Sequence, residues 1–450
     1  MIIIRFCTIG YTFCFQKHLI PIVNKATTEP TAVEDRSMFA SLKVRDYFFL
    51  WLGMLSSAFA MNMQLVAQGW LVYEMTSSAI NLTWVTLAFM FPQVVFSLAG
   101  GVLADRVKKK PIIGWAPVLN GVATLFMAII IISGNVTFWD FIWIGALNGT
   151  VMALSIPART AFIPEIVGEK LMFNAMAFNT ASWNLSRILG PALAGFMIAI
   201  FADGNTTSAF GVGLVYFVLS VLYFVSAVTV LFINHSGSPI PSRSKSPLHD
   251  IREALSYVFN SPVVGGLILL SIIPFLFGLS INTLLPAFNR DVLGGGADML
   301  GWLMTGMGFG AIGGSLTLAT LGGLRNKGYW VLATGSLWGL GVALFAFTSW
   351  FYLSMLVIAF VGFMSAINMS MNRSLVQLQV EQHMRGRIMS IDLMSHGLMP
   401  LGILPIGYIA EIVSVQAGLA VSGTILFVTT IVLGMLMPKI RAINTGFHHP

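Results

Sequence analysis

Charge is scarce in this chain. Only 9% of its 450 residues are Asp, Glu, Lys or Arg, against roughly 25% in a soluble globular protein. A water-facing surface cannot be assembled from so few ions, and a soluble globular fold is excluded. Disorder is excluded too, because it needs low hydrophobicity and high net charge. Cysteine is nearly missing: Cys7 and Cys14 stand before the first convincing apolar span, and no other follows. No disulfide framework, thiolate metal site or catalytic thiol can be built from the rest. No G-x-x-x-x-G-K-[S/T] phosphate loop occurs, which argues against direct use of ATP. Gly308 to Gly313 fits G-x-G-x-x-G, but it lies inside an apolar run with no strand before it, so it is not read as a dinucleotide site. Nothing in the chain asks for a cofactor or a metal.

Apolar residues make up 56% of the chain, with 44 Gly, 25 Met and 34 Phe, and mean hydropathy is +0.85. The apolar stretches are continuous rather than alternating, which points to helices and not to a membrane barrel. At about 35 residues per span and loop, the length leaves room for roughly 12 spans. Candidate spans are 47–73, 79–104, 112–132, 139–163, 173–201 and 212–233, then 262–288, 298–321, 329–348, 350–372, 386–412 and 416–437. The fold expected is all-α and membrane-embedded, twelve transmembrane helices in two six-helix bundles, 47–233 and 262–437. A cytoplasmic N-terminal segment, 1–46, and a tail, 438–450, flank them. Met1 to Phe15 is apolar but too short to span, and 24–37 are polar; Met38 is read as the natural start of the protein, so that 1–37 need not belong to it. Between the bundles, 234–261 holds a Ser-, Pro- and base-rich stretch. It then gives Ser246-Pro247, a helix-start pair, with Leu248, Ile251, Leu255 and Val258 at helical spacing. This is expected to be an amphipathic helix on the membrane surface.

The net charge of +7 is read as topology and not as a nucleic-acid footprint. With the N-terminus inside, the inner loops hold Lys43, Arg45, Arg106, Lys108 to Lys110, Lys170, Arg243, Lys245, Arg252, Arg325, Lys327, Arg373, Arg385, Arg387, Lys439 and Arg441. Only Arg290 falls outside. The positive-inside tendency therefore expects both termini in the cytoplasm. The halves also echo each other: Arg159 closes the fourth span as Arg373 closes the tenth, and Pro191 and Pro405 stand in the fifth and eleventh. A weak repeat of this kind marks carriers built from two related bundles.

The loop after the second span reads Gly100-Gly101-Val102-Leu103-Ala104-Asp105-Arg106-Val107-Lys108-Lys109-Lys110. It resembles the G-x-L-A-D-R-x-G-R-K loop of the major facilitator superfamily, departing from it at Val107-Lys108. The resemblance implies a conformational latch of Gly101, Asp105, Arg106 and Arg159: Gly101 allows close approach to span 11, and Asp105 of the Asp105-Arg106 pair meets the cation Arg159. The lysines read equally as a positive-inside anchor. On span 5, Ser186 to Gly195 resembles the G-x-x-x-G-P-x-x-G-G signature of exporters in that superfamily, with Ser in the first Gly place. Gly190, Pro191 and Gly195 there, and Gly306, Gly310 and Gly314 on span 8, are expected to pack the bundles together. Trp70 to Tyr73, Pro157 to Arg159 and Ile163-Pro164 add similarity to the branch of transmembrane secretion effectors that holds the enterobactin exporter, over about residues 40–437.

Ionisable groups at membrane depth are functional candidates, because each costs at least ~2.5 kcal/mol at the bilayer centre. Arg187 lies about 20 Å along span 5, with Trp183 and Asn179 on the same face. The trio suits an anionic or catecholate-like cargo; an ion pair between bundles or a carbonyl cap is the other reading. Asp392 and His396 are one turn apart on span 11 and could exchange a proton, although Asp392 could serve the latch instead. Glu74 and Glu411 are read as residues at the membrane interface. The superfamily's cavity-lining spans carry Asn62, Gln64, Gln68, Asn148, Asn282, Asn368 and Asn372 here, which implies a polar, uncharged cavity.

The function expected is secondary active export of a small amphipathic molecule, drug- or siderophore-like, by alternating access with proton antiport. The protein would sit as a monomer in the inner membrane, partnered by lipid and not by nucleic acid, and would not be an enzyme. A metabolite importer on the same fold, or a membrane-assembly or lipid-scrambling role, are the alternatives.

Overall fold

The computed structural model describes residues 39–201, 209–237, 247–320, 326–381 and 398–443, with single residues at 384, 388 and 391. The expectations for residues 1–38, and those for Asp392 and His396, lie outside these. Among the described residues the regular elements are helices. In chain order they are α1 (Arg45–Thr76), α2 (Ala79–Arg106), α3 (Lys109–Ile132), α4 (Phe138–Met172), α5 (Asn174–Phe201), α6 (Ala209–Leu231), α7 (Pro247–Asn260), α8 (Pro262–Asp291), α9 (Ala297–Thr320), α10 (Lys327–Phe345), α11 (Phe351–Gln379), α12 (Met399–Ile412), α13 (Val415–Leu436) and the short α14 (Pro438–Arg441).

Ten of these are long and apolar enough to cross a membrane: α1 to α6, α8, α10, α11 and α13. The glycine-rich α9 and the short apolar α12 stand where the eighth and eleventh spans are expected, so the set is consistent with twelve. Backbone chemistry sets several breaks. Ser77 closes α1 and Gly134 follows α3 in the left-handed region, and Gly168 at φ 71° interrupts the helical run near the end of α4, shortly before α5. Inside α8, Pro274–Gly278 forms a π-helical turn, the local loosening that a proline without an N–H invites.

The repeat expected from the sequence has a counterpart in the packing. In each half the second span packs on the fourth (α2 on α4, α9 on α11), and the third on the sixth (α3 on α6, α10 on α13). The first and sixth spans of each half are joined by a serine pair. Ser57 donates to Ser226 at 2.7 Å, and Ser280 meets Ser422 at 2.6 Å. Without water, such hydroxyls must find one another across helices.

The glycines correct one expectation. Gly306, Gly310 and Gly314 do not face span 5. A Cβ on Gly310 would lie 1.8 Å from the Ala359 carbonyl oxygen, one on Gly314 2.3 Å from that of Phe363, and Gly306 abuts Met355. All three let α9 and α11 touch within one bundle. Gly190 likewise packs inside its own half, on Asn62 and Met63. The contact between bundles uses Gly195 against Ala297 and Gly301, and Gly308 against Ile188. On α2, Gly100 rests on the Ala153 carbonyl of α4, whereas no described atom lies within 4 Å of a Cβ on Gly101.

One end of the bundle carries nearly all the cations; we call it the basic end, and the other, with Glu74, Asp140, Asp291, Asp298 and Glu411, the acidic end. The basic end is clamped to the chain that leaves α6. Lys109 is fully buried and pairs with Glu165 at 2.7 Å. Lys110 Nζ donates to the Ile233 carbonyl at 2.6 Å, and Asp46 accepts the N–H groups of Asn234 and His235 at 3.1 and 2.9 Å. Two of the three loop lysines are therefore structural struts, and Lys108 alone stays exposed. Beyond the linker, α7 turns Ala254 and Val258 into α8 and leaves Leu255 and Phe259 exposed, the latter by 82%. Leu255 thus points away from the face that Val258 buries.

Gly310→Leu is expected to force α9 off α11 and to destabilise the protein by about 1–3 kcal/mol, the range for overpacking. Gly313→Ala, whose Cβ would meet nothing closer than 3.4 Å, should leave the thermal unfolding midpoint in detergent nearly unchanged. Lys109→Met removes the buried cation that pairs with Glu165 and should cost about 3 kcal/mol, of which the double variant Lys109→Met/Glu165→Leu recovers part; the same unfolding assay reads both.

Candidate functional site

The polar residues at membrane depth fall into two groups: amides used up by helix packing, and side chains left open. Asn62 donates its Nδ2 to the Ala58 carbonyl at 2.9 Å and to Ser186 Oγ at 3.1 Å, tying α1 to α5. Asn368 donates to the Val331 carbonyl at 2.7 Å and to Thr334, tying α11 to α10. Asn372 donates to Ser271 Oγ at 2.7 Å and to the Leu267 carbonyl at 3.1 Å, tying α11 to α8. Gln64 is buried and Gln68 half-buried. The carbonyl oxygens of Asn148, Asn282 and Asn372 are buried without a hydrogen-bond partner among the described residues. That of Asn372 belongs to a side chain lining a small cavity with Ser271, Pro274, Phe275, Asn368 and Arg373, beside the π-helical turn of α8.

Helix α5 divides into faces. Ser182, Ser186 and Gly190 pack on α1: Trp51 Nε1 donates to Ser182 Oγ at 2.7 Å, and Gly190 touches Asn62. Ile188 and Gly195 meet α9. At 100° per residue, two arcs remain between these contacts. One carries Ala181, Leu185 and Leu189 and is purely apolar. The other carries Thr180, Trp183, Asn184 and Arg187, all exposed. An apolar arc suits lipid, whereas an arc holding an arginine, an amide and a hydroxyl needs water. Asn179, half-buried, completes the expected Asn179–Trp183–Arg187 line on the polar side. Arg187 makes no hydrogen bond or ion pair among the described residues, so neither the interbundle pair nor the carbonyl cap is seen there.

Arg159 is half-buried near the basic end of α4, close enough to Tyr223 of α6 to interact with it, and its Nε is buried without a hydrogen-bond partner. Arg106 is exposed in the last turn of α2. The side chain of Asp105 lies outside the described ones, and with it the latch expected between Asp105 and Arg159.

At the acidic end the structure assembles a constellation that the sequence reading missed. Glu74 and Glu411 stand at span ends, where they are expected, and both also bridge the two halves. Glu411 of α12 accepts from Ala79 N at 2.7 Å, Ser78 Oγ at 3.0 Å and Ile80 N at 3.3 Å, at the start of α2. Arg290 pairs with Glu74 at 3.3 Å, and the Tyr73 hydroxyl donates to Asp291. Thr83 presses on Gly407 beside them. The available signal was position: each of these charges stands at a span end, where lone acids in a chain so poor in charge are worth pairing. The partners lie more than 200 residues away, and spacing could not join them. The hydrogen bonds and ion pairs that cross between halves, among the described residues, all lie at this end.

Two halves bonded across the acidic end, with a polar arc of α5 left exposed, suit a carrier better than an enzyme. Known proteins agree. A staphyloferrin A transporter of Staphylococcus aureus (strain NCTC 8325 / PS 47) is 24% identical over 379 residues, 84% of this chain and 92% of that protein. An enterobactin exporter, EntS, of Escherichia coli O81 (strain ED1a) is 24% identical over 291 residues, 65% of this chain and 67% of that protein. Among solved structures, the POT family transporter PepTSo superposes with a TM-score of 0.69 at 14% identity, covering 88% of this chain and 98% of that one. The nucleoside transporter NupG gives 0.65 at 14% identity, covering 89% and 100%. These establish the major facilitator fold. Residues 36–447 match the family described as transmembrane secretion effector, and the chain belongs to that family: it is a multi-pass membrane transporter and not an enzyme.

Proposed function

We propose that the protein exports a small amphipathic anion, siderophore- or drug-like, by alternating access and in exchange for protons. The basic end and both termini face the cytoplasm, as the distribution of cations favours, and the acidic end faces outward. The observation that carries the reading is Arg187. A guanidinium midway along a membrane helix, exposed and without a protein partner among the described residues, is tolerable only beside water, and it attracts a carboxylate, catecholate or phosphate that enters that water. Trp183, one turn away, adds a flat apolar surface for an aromatic or acyl part of the cargo. The relatives named for siderophore transport support a cargo of this class.

Membrane vesicles test both cargo and direction, with labelled catecholate and citrate-type chelators as probes. Inverted vesicles acidified inside are expected to accumulate at least one of them. Arg187→Ala should lower that accumulation roughly tenfold or more, the weight of a charge-assisted hydrogen bond. Arg187→Lys, which keeps the charge but not the fork, should retain part of it. Accumulation confined to right-side-out vesicles would replace export by import. Transport by Arg187→Ala at the wild-type rate would remove the anion site.

A further inference from the structure

The two ends of the molecule differ in the sign of their charge by more than membrane insertion asks for. At the acidic end the described residues hold five carboxylates, Glu74, Asp140, Asp291, Asp298 and Glu411, against the guanidinium of Arg290. Their bonds leave that surplus in place. Arg290 pairs with Glu74. Asp291 takes the Tyr73 hydroxyl, Glu411 takes N–H groups and a hydroxyl at the start of α2, and Asp140 takes those of Thr137. Neutral donors hold these three carboxylates and cancel none of their charge.

The basic end has the opposite balance. Lys43, Arg45, Arg106, Lys108, Lys170 and Arg441 are exposed there, with fewer exposed acids, Glu169, Glu253 and Glu381, to offset them. Loop cations on one side are enough to orient a membrane protein, and Asp and Glu contribute little to orientation. Insertion therefore accounts for a basic end but not for an acidic one. Distance keeps the two apart electrically. Arg45 and Glu74 stand near opposite ends of α1, about 43 Å from each other at 1.5 Å per residue. The screening length in physiological salt is about 8 Å, so each end sets its own potential in the water beside it.

We infer that the ends form an electrostatic ramp for small anions: the basic end raises their local concentration and on-rate, and the acidic end lowers both. Fixed charges leave the final gradient unchanged, since the driving ion sets that; they change the affinity seen from each face. In the orientation proposed above, on which the direction rests but not the ramp itself, an anion is gathered from the cytoplasm. Once released at the acidic end, it is kept from returning.

The two potentials can be read directly. A single cysteine is placed at the basic end, Ser236→Cys, or at the acidic end, Ser349→Cys, both exposed positions, in the full chain with Cys7→Ser and Cys14→Ser. Nanodiscs of zwitterionic phosphatidylcholine add no net charge. Each thiol is modified by two methanethiosulfonates of similar size, one bearing a sulfonate and the other a trimethylammonium. The ratio of their rates cancels the reactivity of the thiol itself. In low salt the sulfonate-to-ammonium ratio is expected to be roughly tenfold or more higher at the basic end than at the acidic end. In salt of about 1 M, where screening acts over about 3 Å, most of that difference should vanish. Lys108→Glu with Lys170→Glu should lower the ratio at the basic end, and Asp140→Asn with Asp298→Asn should raise it at the acidic end. Equal ratios at the two ends in low salt, or a difference that high salt leaves intact, overturns the inference. So do charge variants that reach the membrane and leave the ratios unmoved. No cargo enters this assay: a clear difference between the ends, beside vesicles that accumulate neither chelator, removes the export reading and spares the ramp.

Discussion

A polar group inside a bilayer must be satisfied by the protein or reached by water, and most of this structure follows from that constraint. The serine pairs between first and sixth spans and the donating amides of Asn62, Asn368 and Asn372 supply partners that hydrocarbon cannot, while the carbonyl oxygens of Asn148, Asn282 and Asn372 stay without one among the described residues. Arg187, without a hydrogen bond or ion pair among the described residues, stands on the arc of α5 that also carries Thr180, Trp183 and Asn184, opposite the apolar Ala181–Leu185–Leu189 arc, and it is there that the proposed cargo site is placed.

The same constraint shapes how the two bundles are held. Within each half, glycines bring backbones into contact, as Gly310 does with Ala359, and a contact of that kind cannot slide without large strain. Between the halves the attachment is of another kind. Small residues meet at Gly195 and Gly301, and a few ionised side chains meet at the acidic end. Tightly packed halves joined by a small number of polar bonds are the arrangement that the proposed alternating access would use.

The loop after α2 is better understood with its packing in view. Its lysines are open to two readings, latch or surface anchor, and Lys109 and Lys110 have a further, structural use beside either. They bury a charge on Glu165 and cap the carbonyl end of α6, holding the start of the interdomain linker against the first half. A basic run in a motif can thus be solvent-facing at one position and structural at the next two, because Lys108 lies in the turn before α3 whereas Lys109 and Lys110 open that helix.

The amino-acid sequence by itself determined the bilayer as solvent, the helical class, the sites of the spans and the membership suggested by Asp105–Arg106 and by Gly190–Pro191. It also placed Asn179, Trp183 and Arg187 on one face, since all of these rest on local composition or helical spacing. The tertiary structure alone decided which glycine meets which helix, moving Gly306, Gly310 and Gly314 from the interface between bundles to a contact inside one. It decided that several amides are struts, and that Glu411 caps a helix 332 residues away in sequence at Ala79. Periodicity reports which side of a helix is apolar, but not which neighbour lies there. A bond between distant segments has no local signature, because its geometry exists only after both halves have folded.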